Sequence, residues 1–167
     1  MIRIENILVA TDFGEAAESA LNYGRELARN FGARLHVLHV VDSTYVWTGV
    51  DAVGIDSAMM QAEIQDAARE KLRALLNEED RRELKAVTIV RAERSPAYAI
   101  VAYAKESRSD LIIMGTHGRG VMAHLLMGSV AEKVVRIAPC PVLTVRNPEQ
   151  EFVLPDALKL ATAPVRL

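Results

Sequence analysis

Cysteine is nearly absent from this chain. Cys140 is the only one, so no intramolecular disulfide can brace the fold, and a reducing, cytoplasmic setting is expected. Aromatic residues make up 5%, which leaves a core of aliphatic side chains. Neither sign of charge dominates: 20 Lys and Arg stand against 22 Asp and Glu, a net charge of −2. That balance argues against a nucleic-acid backbone binder, which usually carries a strongly basic face. No apolar run approaches the ~20 residues of a membrane span, and the first residues show no basic-then-apolar leader. Neither nucleic acid nor membrane is therefore expected as a partner. Also missing is the lysine of a G-x-x-x-x-G-K-[ST] phosphate loop, and any Cys/His cluster that would hold a metal.

What the chain does have is short apolar runs alternating with helical periodicity. Asn6 to Asp12 reads as a strand buried on both faces, and Arg34 to Val41 as a second. Between them, Ala17, Ala20, Leu21, Gly24, Leu27, Ala28 and Phe31 recur at helical spacing, with Gly32 as the stop. A connection from Asp42 to Asp56 holds Tyr45 and Trp47, and is either a functional lid or a tolerated insertion. A second helix is expected from about Ser57 to Asn77, with Met60, Ile64, Ala68, Leu72, Leu75 and Leu76 inward and a charged outer face. Lys85 to Val90 gives a third strand. Ser95-Pro96 opens a third helix with Ala97, Ile100, Val101 and Ala104 inward. Strand four spans Leu111 to Met114, a fourth helix opens at Ser129, and Pro141 to Val145 is strand five.

Strands alternating with helices predict an α/β fold, an open, doubly wound, five-stranded parallel sheet with helices on both faces. Residues 1–147 are expected to form one domain and 148–167 a C-terminal extension. The apolar Phe152, Val153, Leu154, Leu158, Leu160 and Leu167 suggest that the extension docks on the body or on a partner; a disordered remnant is the alternative. Ligands of such sheets sit beyond the carboxyl ends of the strands, where the winding reverses. Ala10 to Asp12 and Gly115 to Ser129 would meet there. Gly115, Gly118, Gly120 and Gly128 allow backbone to approach a ligand, and Ser129 is expected to cap the helix that follows. Unpaired amides at a helix start favour phosphate.

Gly115-Thr-His-Gly118, nine residues, then Gly128-Ser129 resembles the G-x2-G-x9-G-[ST] signature of the universal stress protein family. Ile7 to Phe13, Leu38 to Asp42, Asp110 to Gly118 and Cys140 to Val145 resemble its first, second, fourth and fifth strands in order, so the similarity spans roughly residues 2 to 146. This resemblance implies a sheet of order 3-2-1-4-5, a homodimer, and bound ATP, with or without Mg. By position it implies Asp12 at the ribose or adenine, the Val40 backbone at the adenine edge, and Gly115, Gly118, Gly128, Ser129 and the Val130 N–H around ribose and phosphates. Thr116, His117, Arg119 and Met114 stand as secondary candidates. Family members often carry glycine near Ala92, where this chain has Ala92-Glu-Arg-Ser-Pro96, and the extension lies outside the family core.

Each residue also has a bland explanation. Asp12 can serve the following helix, Thr116 and Ser129 can bond local backbone, and His117 and Arg119 can sit solvated in a loop. His36 and His39, three apart on a strand, point to opposite faces and cannot share an ion. Cys140 reads as a small apolar filler. The functional expectation is an adenine-nucleotide-binding stress-response or signalling protein, with at most slow hydrolysis because the loop has no carboxylate to place a water. A ligand-free homodimeric adaptor, paired through strand five at about 141–146, is the alternative. Gly118-Arg-Gly-Val-Met-Ala123 fits a dinucleotide fingerprint formally, but it follows the wrong strand, and no histidine pair is placed for nucleotide transfer chemistry.

Overall fold

The computed structural model describes residues 2–43, 57–116 and 127–147. In chain order the elements are β1 (Asn6–Ala10), α1 (Glu15–Phe31), β2 (Arg34–Asp42), α2 (Ser57–Leu75), α3 (Glu78–Glu83), β3 (Val87–Glu93), α4 (Pro96–Glu106), β4 (Leu111–Gly115), α5 (Ser129–Ile137) and β5 (Val142–Val145). All strand pairs are parallel and the sheet order is β3-β2-β1-β4-β5. The chain winds outward through β2 and β3, then crosses to β4 and β5 on the other side. The reversal therefore lies between β1 and β4, where Ala10 pairs with Met114.

Alternation along the central strands divides the core in two. Ile7, Val9, Leu35, Val37 and Ile113 meet Ala20, Leu21 and Ala28 of α1 and Leu72 of α2. Leu8, Ala10, Leu38, Ile112 and Met114 meet Ala97, Ile100 and Ala104 of α4 and Ala131 and Val134 of α5. Both faces are thus covered, which is why these strands read as unbroken apolar runs. Gly24 lets α1 settle on β1, since a Cβ there would lie 2.5 Å from Val9 Cγ2. Gly32 ends α1 with φ 64°, a conformation that suits glycine.

Four details differ from the sequence reading. The second helix stops at Leu75, and Asn77 caps a separate short helix, α3, through a capping box with Asp80. β3 starts at Val87 and runs to Glu93, because β2 continues to Asp42 and offers partners to Ala92 and Glu93. Ala92 is therefore a strand residue, not part of a turn. Ala68 and Leu72 of α2, and Leu76 just past its end, are buried as expected, but Met60 and Ile64 remain exposed at 42% and 43%. The same helical stripe continues past the part that packs on the sheet. Phe31, expected on the packed face of α1, is also exposed.

The two strand histidines do face opposite ways. His36 is buried on the α4 side, with Nδ1 2.9 Å from the Tyr103 hydroxyl. His39 lies against Phe13 on the α1 and α2 side. Burial, helped by the Arg34 charge, pulls the His36 pKa below its ordinary 6.5, so the folded chain holds the ring neutral. As pH falls the unfolded chain takes the proton first, and stability is lost from 6.5 downward until the lower folded value is reached. Melting curves from about pH 7.5 to 5 should fall more steeply for the wild type than for His36→Gln, which cannot titrate. Parallel curves would clear His36 of any part in acid sensitivity.

Candidate functional site

The turn after β1 is held by its own side chains. Thr11 N–H donates to Leu38 O (2.9 Å), extending the β1–β2 ladder by one rung. Thr11 Oγ1 accepts from Phe13 N–H at 3.0 Å, and Asp12 Oδ1 accepts from Gly14 N–H at 3.0 Å. Asp12 therefore closes an Asx turn ahead of α1. Gly14 is the N-cap of α1 and has no side chain with which to cap it. Phe13 sits at φ 66°, a left-handed conformation that costs a non-glycine residue about 1–3 kcal/mol. Its ring stacks on His39 with centroids 4.4 Å apart, and Lys71 Nζ lies 5.7 Å from the ring centre.

β4 delivers the second half of the site beside the first. Met114 pairs with Ala10, and its buried side chain belongs to the α4–α5 core. Gly115 faces the start of α1, where a Cβ would lie 2.9 Å from Ala16 Cβ, 3.1 Å from Ala16 C and 3.2 Å from Ala17 N. Helix packing alone thus requires glycine at 115. Thr116 is buried; its N–H donates to Val145 O at 2.8 Å, and its carbonyl accepts from Gly128 N–H at 2.6 Å. The two ends of the glycine-rich segment are therefore joined at its base. Gly118, Gly120, His117 and Arg119, and likewise Tyr45, Trp47 and the extension 148–167, lie outside the described residues.

α5 begins at Ser129, as the sequence suggests, but Gly128 is its N-cap and Ser129 is the first helical residue. The expectation that Ser129 caps the helix is thus corrected: no side chain does so. Glu132 N–H makes the first helical bond, to Gly128 O at 2.9 Å. The amides of Ser129, Val130 and Ala131 precede that bond, and such groups at a helix start carry partial positive charge. Ser129 is exposed, Val130 half-buried. Val40, on the α4 side of β2, pairs with Arg91 in register and is half-buried. Asn147 Nδ2 donates to Glu15 Oε2 at 3.0 Å, tying the end of β5 to the start of α1.

Among the described residues no group of His, Cys, Asp and Glu could hold a metal ion. Burial, with the nearby Asp110 charge, raises the Cys140 thiol above its ordinary range, which keeps it protonated and unreactive among apolar neighbours. Asp110, the acid that opens the motif, is at the amino end of β4, opposite the reversal site. Its Oδ2 accepts from Glu5 and Asn6 N–H (2.7 and 3.0 Å). Sequence reasoning missed Phe13 and His39, whose signal is a bulky residue squeezed between Asp12 and Gly14.

The architecture is a doubly wound α/β domain in which two helix starts with glycine at the N-cap follow β1 and the β4 segment at the reversal point. The chain belongs to the universal stress protein family, which it matches over residues 3–146. A universal stress protein of Methanocaldococcus jannaschii is 31% identical over 150 residues, covering 88% of this chain and 85% of that protein. One from Thermus aquaticus is 34% identical, covering 85% of this chain and 98% of the other. The solved structure of universal stress protein UspA from Lactobacillus plantarum superposes with a TM-score of 0.70 at 27% identity, covering 87% of this chain and all of that one (100%). More distant structures share the fold. One is a universal stress protein in complex with cAMP (TM-score 0.57, 20% identity, 87% and 98% covered). Another, from Archaeoglobus fulgidus, is in complex with dAMP (0.52, 22%, 87% and 99%). Among the described residues no helix is long and apolar enough to cross a membrane.

Proposed function

We propose that this protein binds an adenine nucleotide, ATP with or without Mg, at the β1–β4 reversal, and serves as a cytoplasmic stress-response or signalling protein. The observation that carries this reading is the start of α5. Its first amides have no side-chain cap and follow a segment whose ends are clamped beside the Asp12 turn. Related proteins in complex with cAMP and dAMP support the choice of an adenine ligand. In this reading Asp12 and Ala10 lie toward the ribose, the Val40 backbone meets the adenine edge, and Gly118, Gly128, Ser129 and Val130 hold the phosphates. Gly115 contributes by keeping α1 close. An amide bonded to a charged oxygen is worth about 1.5–3 kcal/mol, so three or four give micromolar affinity after the costs of binding. Mg would come in with the phosphates, and hydrolysis would be slow.

Calorimetry with ATP, ADP, AMP and cAMP tests this directly. Micromolar binding that a bulky Gly118→Leu substitution abolishes is the expected result. No heat with any nucleotide, and no adenine absorbance released on denaturing purified protein, would reject it. A second reading has its own observation: Gly115 is already explained by packing against Ala16. In that reading the glycines are architecture, and the chain is an adaptor that dimerises through the β5 edge. The dimer itself belongs to both readings. It would pair β5 with its copy, with residues 1–147 as the body and 148–167 as an added contact.

A further inference from the structure

We propose that His39 is a positioning residue for the Asp12 turn: its ring fixes the backbone on either side of Asp12 and so aims that carboxylate at the reversal point. The purpose assigned to the turn rests on the nucleotide reading above; the geometry does not. His39 Nδ1 lies 2.8 Å from Thr11 O. A carbonyl oxygen only accepts, so Nδ1 carries a hydrogen and donates it. The preceding residue, Leu38, takes the Thr11 N–H at 2.9 Å. The end of β2 therefore grips Thr11 by both its amide and its carbonyl.

The same ring also supports Phe13. Left-handed φ is disfavoured for a bulky residue unless neighbours hold it there. Phe13 keeps φ 66° with its ring tilted 41° on the His39 imidazole at 4.4 Å. Asp12 is thus strung between two residues that one side chain immobilises. With both the ring and its bond to Thr11 gone, Phe13 is free to relax to negative φ, and the Asp12 carboxylate turns with the backbone. His39 acts through Asp12.

The test is a double-mutant cycle on the full chain, read by ATP calorimetry and by NMR. His39→Asn places an amide N–H where Nδ1 was, while His39→Phe keeps a ring of similar bulk without the donor. His39→Phe is expected to weaken ATP binding about tenfold, the worth of one ordinary hydrogen bond, while His39→Asn stays within about threefold of wild type. In an Asp12→Ala background the same His39→Phe change should cost less than about twofold, because the residue it positions is gone. Equal losses in both backgrounds, or no loss in either, would overturn the proposal. If the wild type binds no ATP, the nucleotide reading falls by itself and NMR decides the positioning. An Nδ1–H tautomer with Phe13 couplings that leave the left-handed range in His39→Ala, which removes ring and donor together, supports it. An Nε2–H tautomer, or Phe13 couplings unmoved by that change, refutes it. Matching unfolding midpoints, or the milder Asn variant where Phe unfolds the chain, separate positioning from a general loss of stability.

Discussion

Asp80→Ala is expected to remove about 3 kcal/mol of stability, among the largest effects of any single substitution in this chain. Asp80 is 0% exposed, yet it is charged and sits at the joint of three helices. Its Oδ2 takes Arg25 Nε at 3.0 Å, and Arg29 Nη2 stands 3.7 Å from Oδ1. Its carboxylate also completes the capping box with Asn77, whose Oδ1 accepts from Asp80 N–H at 2.7 Å. Arg25 reaches on to Leu75 O, so the guanidinium links the end of α2 to α3. Removing the carboxylate strands that arginine, but Arg25 is 20% exposed and Arg29 34%, so water relieves part of the penalty. The loss should therefore fall at the lower end of the ~3–5 kcal/mol typical of broken buried pairs. Asp80→Asn keeps an acceptor for the cap and should cost about half as much. Urea unfolding at unchanged slope checks both, and a shift worth under about 1 kcal/mol would show that the network contributes little. Nucleotide affinity should not change, because this joint lies by the starts of β2 and β3, at the opposite end of the strands from the β1–β4 reversal.

Gly115→Val should have the second large effect, and should combine stability with binding. A Cβ at 115 meets backbone, Ala16 C and Ala17 N, which cannot swing aside as a side-chain tip would. Either α1 lifts from β4 or the end of β4 bends away from β5. Overpacking of this kind costs about 1–3 kcal/mol. Either movement also separates the Asp12 turn from the start of α5, so any ligand that spans them is lost. Gly115→Ala should show the same pattern at roughly the lower figure. The comparison with Gly118→Leu is informative: 115 should lower the melting temperature of the ligand-free protein, whereas 118 should act on binding. A Gly115→Val protein that melts like the wild type would mean that α1 does not need this close approach.

A parallel sheet covered on both faces was legible because the β1, β2 and β4 runs are apolar throughout, as two helix layers demand; the order of the strands came from the family resemblance. Meeting of the Asp12 and Gly115 turns followed from the reversal rule once that resemblance made β1 and β4 neighbours. Helix register at the ends was harder. Gly128 and Ser129 are both good N-cap residues, and only the backbone geometry decides between them. Asn77 and Asp80 do carry a capping signature, but the apolar stripe of α2 runs straight into it and masks the break. Met60 and Ile64 fit the buried period, and periodicity cannot tell where the supporting sheet ends. The His39–Thr11 link joins residues 28 apart in sequence through a side chain, so no local pattern announces it.

The bond from Gly128 N–H to Thr116 O has a consequence for how such a chain can diversify. It acts as a clasp: the strand arriving at Thr116 and the helix leaving from Gly128 keep their positions independently of what is strung between them. Stretches of other lengths and compositions can be spliced across those two posts without re-registering β4 or re-seating α5. Selectivity for a different guest could thus be rewritten in that one interchangeable span while the scaffold underneath stays as it is.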